Sequence, residues 1–262
     1  INVNELSEYI NTWAQKGAQI TKKHPNFPRI VCEIETFRGC PRTKHCAFCS
    51  ERLKQKTYQR SPAAVIKEIQ SLTRAGNKYF RLGCQTDLLM YQARTENNNL
   101  IPNPGAIKKL YSSIRKANPE LEVLHLDNIN PANIVNYEPE SRKILNVISK
   151  YNTTGDIAAF GLESADPRVL KKNNIDTKPE TTFKAIKIIN EIGGKRKRGI
   201  PKLLPGINFL HGLIGERDKT LQLNYEFLKK IYNSGLMLRR INIRQVATLD
   251  SYPEIQLNKT KF

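Results

Sequence analysis

Cys40, Cys46 and Cys49 are the residues whose type and spacing most directly promise chemistry. They lie in the stretch Phe37-Arg38-Gly39-Cys40-Pro41-Arg42-Thr43-Lys44-His45-Cys46-Ala47-Phe48-Cys49. Three of the chain's five cysteines fall there, the last two as a C-x-x-C pair with an aromatic residue just before the final thiol. Thiolates this close in sequence can hold iron or zinc. Three of them, with no obvious fourth, leave one metal position open. An open iron in a [4Fe–4S] cluster is a place where a small molecule can bind and be reduced. A disulfide framework fits poorly, because the count is odd and the first residues do not read as a signal peptide. A structural zinc site closes with four ligands, and His45, the candidate fourth, abuts Cys46 in poor chelate geometry. A buried, inert triplet is at odds with a polar, basic loop. The spacing favours iron–sulfur over zinc.

The elements that must position this loop alternate between strand and helix. Strands are predicted over 30–35, 79–83, 121–126, 157–162, 207–213 and 240–246. Helices open at Ser61-Pro62 and Asn103-Pro104, where a capping side chain precedes a proline suited to the first turn. Further helices are predicted over 139–151, 179–192 and 220–233. Six strands separated by helices imply a parallel sheet with right-handed crossovers. Rolled up, this α/β chain is a partial (β/α)6 TIM-like barrel, two units short of eight. An added N-terminal helix, with Leu6, Ile10, Trp13 and Ala14 on one side, is expected to pack on the barrel from outside. Domain bounds are set at 1–27 for this extension, 28–250 for the barrel and 251–262 for a C-terminal tail. The chain runs from Ile1 to Phe262 and is expected to be part of a longer protein. The polar loop 85–103 reads as a lid or substrate loop.

In such a barrel, ligands bind where strands end. Those ends read Gly83-Cys84-Gln85-Thr86-Asp87, His125-Leu126-Asp127-Asn128, Gly161-Leu162-Glu163-Ser164, His211-Gly212-Leu213-Ile214-Gly215-Glu216 and Arg244-Gln245-Val246. Polar groups therefore converge on one rim. Glu33 and Glu35 share a strand face and are expected to pair with strand arginines such as Arg81 or Arg244, because unpaired buried carboxylates are costly. Cys32 reads as a core thiol. His125 and Asp127 share a face and could contact substrate, or His125 could be a satisfied core histidine.

The formal net charge of +19 would attract polyanions such as RNA, or nucleotide-like ligands. A solvated basic surface explains it equally well. The one dense run is Lys195-Arg196-Lys197-Arg198. No stretch approaches the roughly 18 apolar residues of a membrane span, so a cytoplasmic protein without membrane contact is expected.

These features together resemble the radical S-adenosylmethionine enzymes over about residues 28 to 250. The match is closest to the core of MiaB-like, NifB-like and elongator-type members, and within these to a poorly defined archaeal group of iron–sulfur oxidoreductases. Ile34-Glu35-Thr36-Phe37-Arg38-Gly39-Cys40-Pro41-Arg42, Ala159-Phe160-Gly161-Leu162-Glu163-Ser164-Ala165-Asp166-Pro167 and Arg240-Ile241-Asn242-Ile243-Arg244-Gln245-Val246 carry the closer match. The resemblance implies two cofactors, a [4Fe–4S] cluster and S-adenosylmethionine. Cys40, Cys46 and Cys49 would ligate three irons, and the fourth would take the amine and carboxylate of S-adenosylmethionine. Phe48 would pack near the adenine. Gly83, Cys84 and Gln85 fall where the family commonly has Gly-Gly-Glu, which holds the methionine amine. Gln85 lacks the charge of that acid, so Asp87 becomes the candidate for its role. Glu163 and Ser164 match the ribose-binding end of the fourth strand. Gly212, Leu213, Ile214 and Gly215 match the motif that packs against the adenine, and Gln245 and Val246 match a backbone contact. Lys171 or Lys172 would pair with the cofactor carboxylate.

The cysteine spacing departs from the family's commonest pattern, with five residues rather than three between the first two thiols. Arg42 and Lys44 sit in that insert, where they either favour the reduced cluster or are simply solvated. The family's chemistry implies an external reductant of ferredoxin or flavodoxin type and reductive cleavage to a 5′-deoxyadenosyl radical that takes hydrogen from a substrate. The substrate is not legible, and RNA is one candidate. Two rival readings remain: a non-catalytic iron–sulfur electron carrier and a zinc-stapled RNA-binding protein.

Overall fold

The computed structural model describes residues 7–54, 57–197 and 199–246. Leu6, Arg198 and the tail 251–262 lie outside them. Six parallel strands lead to the site: β1 (Val31–Glu35), β2 (Tyr79–Gly83), β3 (Val123–Leu126), β4 (Asp156–Glu163), β5 (Leu203–His211) and β6 (Arg240–Gln245). They form two three-stranded parallel sheets, β1-β2-β3 and β4-β5-β6. A parallel bridge between Asn128 and Ala159 joins them. The result is an open, partial barrel, as expected from the alternation of elements.

The helices are α1 (Ser7–Lys16), α2 (Pro62–Arg74), α3 (Pro104–Ala117), α4 (Pro131–Asn136), α5 (Glu138–Tyr151), α6 (Pro167–Lys172), α7 (Pro179–Gly193) and α8 (Asp218–Asn233). Four of them open alike. Ser61, Asn103, Asn130 and Asp166 each accept a backbone N–H with the side chain, and each is followed by proline. Each cap contributes about 1 kcal/mol. The sequence analysis overlooked α4 and α6, which have only six residues each and show no helical period.

Strand alternation divides the barrel walls. Ile34, Phe80, Leu82, Leu124, Phe160, Ile207 and Phe209 face outward and pack with Val65, Ile69, Ile107, Leu110, Ile144 and Ile186 of the helices. The opposite strand faces carry Glu33, Arg81, His125, Asp127, Asn208, Arg240, Asn242 and Arg244. Asp127, at the end of β3, interacts electrostatically with Arg240 and Arg244 of β6. Those strands are not neighbours in either sheet, so the interaction crosses the barrel interior. Cys32 packs against the outer core, and burial pushes its thiol up to about 11, as fits an inert core cysteine.

Four local expectations are corrected. The loop 85–103 is only partly a surface lid: Leu88, Leu89, Met90 and Tyr91 are buried in the core, and only the hairpin Arg94–Glu96 with Asn99–Ile101 is at the surface. β5 starts at Leu203 rather than 207, because Pro205, which reads as a strand breaker, is accommodated inside it. On α1, Trp13 is 53% exposed and stacks edge-on with Tyr9 instead of facing the barrel. Glu33 pairs with Arg81 at 2.9 Å as expected, but Glu35 pairs with Arg38 of the cysteine loop. Among the described residues no helix is long and apolar enough to cross a membrane.

Candidate cofactor site at the strand ends

The cysteine loop leaves β1 and is tied to the barrel at several points. Residues Phe37–Arg38 pair antiparallel with Tyr58–Gln59. The Gly39 N–H donates to Glu51, the Thr86 hydroxyl donates to the Gly39 carbonyl, and the Ala47 N–H donates to the Asn173 carbonyl beyond α6. The loop is thereby pinned over the strand ends.

Cys40, Cys46 and Cys49 line one cavity of about 330 Å³. Phe48, Cys84, Gln85, Asp87 and Glu163 line it too, so these eight residues, all singled out by sequence, meet at one place. The cavity also takes in Arg42, Asn133, Thr177 and Asn208. Asn133 and Thr177 were missed; the Asn130-Pro131 cap that opens α4 was the available signal for the former. Arg42 donates to the sulfurs of Cys40 and Cys46, each at 3.4 Å. The insert between the first two thiols therefore brings a guanidinium onto them. Burial pushes the Cys46 and Cys49 thiols up, and Arg42 opposes this at both.

The donor set fits a [4Fe–4S] cluster. Three soft sulfur donors surround one cavity, and a cation sits where thiolate and cluster charge would collect. Among the described residues no three His, Cys, Asp or Glu side chains gather closely enough to hold a single metal ion. A cubane differs from a lone zinc in taking its thiolates at separate corners. His45 turns its Nε2 toward the Cys40 carbonyl at 3.4 Å.

Glu163 is placed by an irregularity in β4. Asn208 of β5 pairs with Gly161, but Phe209 pairs with Glu163, so Leu162 is an extra residue in the register. Such bulges re-aim side chains beside active sites. Glu163 takes φ of +65°, a left-handed conformation that disfavours a non-glycine residue by about 1 kcal/mol. Its carboxylate folds over Gly161, where a Cβ would lie 2.6 Å from Oε1. Burial pushes the Glu163 carboxyl up to about 8, opposed by the charges of Arg42 and Arg244. Among the described residues nothing hydrogen-bonds this carboxylate, which leaves it free to accept hydroxyl groups of a ligand.

The end of β2 behaves differently. Gln85 accepts from the Thr36 hydroxyl at 3.1 Å and donates to the Leu82 carbonyl at 2.9 Å. Asp87 accepts from the Leu89 N–H at 3.1 Å and from Asn133 at 2.6 Å, and burial pushes its carboxyl up to about 6. Both groups that were expected to replace the family acid are thus engaged in internal bonds. Cys84, at φ +59°, is exposed on the rim. Gly83 lies under the Glu33 carboxylate, and any Cβ there would meet it at 2.0 Å.

Ser164 does not line the cavity. It is fully buried, and its hydroxyl accepts the Asp166 N–H at 3.1 Å, closing the turn into α6. Lys171 and Lys172 do not line it either, and the stem of Lys172 covers Gly215. The cation that does line it is Arg42. Leu213 and Val246 form a second apolar cluster with Cys46, Val169, Leu170 and Ile175, against which Phe48 and Ile214 pack. The Glu216 carboxylate accepts from the N–H groups of Gly212 and Leu213, which holds that turn in shape. The Val246 N–H donates to the His211 carbonyl, and Gln245 is opposite His211 in the ladder.

The radical SAM superfamily model matches residues 34–228. An uncharacterised protein of Methanocaldococcus jannaschii is 49% identical over 249 residues, covering 92% of this chain and 45% of that protein. The chain thus spans less than half the length of this relative. Among solved structures, TsrM of Kitasatospora setae, a radical S-adenosylmethionine methyltransferase with cobalamin and a [4Fe–4S] cluster bound, is 17% identical with a TM-score of 0.54, over 81% of this chain and 36% of that one. Coproporphyrinogen III oxidase of Escherichia coli, described as a radical SAM enzyme, is 17% identical with a TM-score of 0.55, over 90% and 48%. These structures share the fold. The chain belongs to the radical SAM superfamily, whose cofactors are a [4Fe–4S] cluster and S-adenosylmethionine.

Proposed function

We propose that this chain is the catalytic core of a radical S-adenosylmethionine enzyme in which Cys40, Cys46 and Cys49 hold the cluster. We take residues 28–250 as that core, with 1–27 as an extension. When bound and reduced by an external ferredoxin- or flavodoxin-type donor, the cluster supplies the electron that splits S-adenosylmethionine to a 5′-deoxyadenosyl radical able to take hydrogen from a substrate. Glu163 accepts the ribose hydroxyls. Phe48, Leu213, Ile214 and Val246 flank the adenine, with backbone at Gly212 and Gln245 at its edge. The backbone at Gly83 and Cys84 faces the methionine end, and Gln85 and Asp87 keep that edge in shape. Arg42 offsets negative charge at the thiolates. The barrel wall keeps water from the reacting atoms.

The observation that carries this reading is the meeting of three thiols and an unbonded, strained Glu163 around one cavity. The test is anaerobic incubation with dithionite and S-adenosylmethionine, assayed for 5′-deoxyadenosine. Its formation supports the reading. A brown protein that forms none is an electron carrier, and a colourless one carrying zinc is a stapled RNA binder. An RNA substrate would draw on the net charge of +19. Arg196 lies in the hairpin before β5, opposite the cavity, where it would anchor a polyanion rather than meet the radical.

A further inference from the structure

The five-residue gap between Cys40 and Cys46 carries a cation that behaves unlike its neighbours. Arg38 holds the two oxygens of Glu35 with Nε and Nη2, at 2.8 and 3.0 Å, and Lys54 pairs with Glu51. Arg42 turns the same guanidinium edge to sulfur: Nε donates to Cys40 and Nη2 to Cys46, each at 3.4 Å. One planar group thus spans two thiols from different positions in the loop. Cys49 takes its hydrogen bond from the backbone at Glu51 and feels Arg42 only as a charge. Asp87 and Glu163 line the same cavity and also feel that charge, yet neither comes within ion-pair distance of it.

Reduction of a cluster held by these thiolates moves one electron from the donor to the cluster, with no bond broken and no proton transferred. The cluster therefore gains one negative charge. A cation bonded to two of the ligating sulfurs stabilises the reduced state more than the oxidised one, and hydrogen bonds to sulfur act in the same direction. Arg42 is half-buried, so water screens it less than an exposed cation. Lys44, two residues on in the same insert, is exposed. The fork matters as well as the charge, because a lysine ammonium is a point charge without that planar two-point grip.

We propose that Arg42 is a positioning residue for the cluster: it orients Cys40 and Cys46 and raises the reduction potential, so that the one-electron donor needs less driving force. This rests on the preceding reading of the three thiols and adds a control on its first step. A merely structural role, in which Arg42 only ties the loop together, would leave the potential where it is.

The test is a redox titration of the reconstituted protein without S-adenosylmethionine, followed by electron paramagnetic resonance of the reduced cluster. At the wild-type midpoint, Arg42→Gln should lower the ratio of reduced to oxidised cluster at least tenfold, a downward shift of at least about 59 mV. Arg42→Lys, which keeps the charge and loses the fork, should lower it at least threefold. Lys44→Gln, which removes an exposed charge, should change it less than twofold. A second measurement needs no variant to fold: pulsed resonance of the reduced wild-type protein labelled with 15N-arginine should show a nitrogen coupled to the cluster. If Arg42→Gln holds no iron, the Lys variant and this coupling decide. A smaller shift in either Arg42 variant, an equal shift in Lys44→Gln, or no 15N coupling in the wild type would each overturn the proposal. Iron content and formation of 5′-deoxyadenosine are scored separately. A wild-type protein that holds the cluster and forms 5′-deoxyadenosine yet fails these measurements overturns this inference alone. One that takes up no cluster overturns the preceding reading and this one with it.

Discussion

The two sides of the cavity treat their acids in opposite ways. At the end of β2, Asp87 has both carboxylate oxygens engaged and caps the turn at Leu88–Met90. At the end of β4, Glu163 is half-buried where it lines the cavity, yet has no hydrogen-bond partner among the described residues, and the backbone is strained to present it. An acid that folding has satisfied works for the fold. One left unsatisfied in a cavity, at a cost in strain and desolvation, works for a ligand.

The largest effect should come from the thiols. Replacing Cys40, Cys46 or Cys49 with Ala should abolish bound iron and visible colour, and Cys32→Ala should leave both intact, as measured by iron analysis and absorbance. Full iron retention in the triple variant would move the cluster elsewhere. The acids come next and sharpen the comparison. Glu163→Gln should weaken S-adenosylmethionine binding about tenfold or more, equivalent to about 1.4 kcal/mol, without loss of folding stability. Asp87→Ala should instead destabilise the fold by about 1–3 kcal/mol, because the Leu89 N–H and the Asn133 amide lose their acceptor. Calorimetry and urea denaturation of both variants decide it, and the same profile for both would erase the distinction.

A smaller effect concerns pH. Asp156, remote from the cavity at the start of β4, accepts from the N–H groups of Leu126 and Ile157, and burial pushes its carboxyl up to about 7. The unfolded chain loses this proton near the ordinary value of about 3.9. The fold therefore holds more protons across that window. This contribution to stability is fully present below about pH 4 and is lost as pH rises through about 7. Asp156→Asn should flatten the stability profile over that range in denaturation series, and an unchanged slope would refute the assignment. The smallest effect is at Ser164. Ser164→Ala should change S-adenosylmethionine affinity less than about twofold while costing about 1 kcal/mol of stability through the lost turn bond.

Long, periodic segments were legible: the apolar faces of α2, α3, α5 and α7 and the order of the six strands follow from residue spacing. Short or disguised ones were not. Six residues are too few to show a helical period, which hid α4 and α6. Leu88–Met90 was masked by its polar surroundings, and Pro205 concealed the start of β5. At the site, sequence named the residues that converge but not their availability. Ser164 stands next to Glu163, yet one hydroxyl closes a turn while the other residue's carboxylate is re-aimed by a bulge. Arg42 read either as a residue favouring the reduced cluster or as a solvated one, and only the folded loop brings its guanidinium onto two sulfurs.

The most direct test of the central claim, that three thiols hold a cluster with an open position in this cavity, is electron paramagnetic resonance of the reconstituted, dithionite-reduced protein with and without S-adenosylmethionine. The account predicts one reduced [4Fe–4S] cluster per chain whose spectrum shifts when S-adenosylmethionine is added, with the shift requiring a higher concentration in Glu163→Gln. A spectrum indifferent to S-adenosylmethionine, or a cluster that survives in the Cys40, Cys46 and Cys49 triple variant, would contradict it.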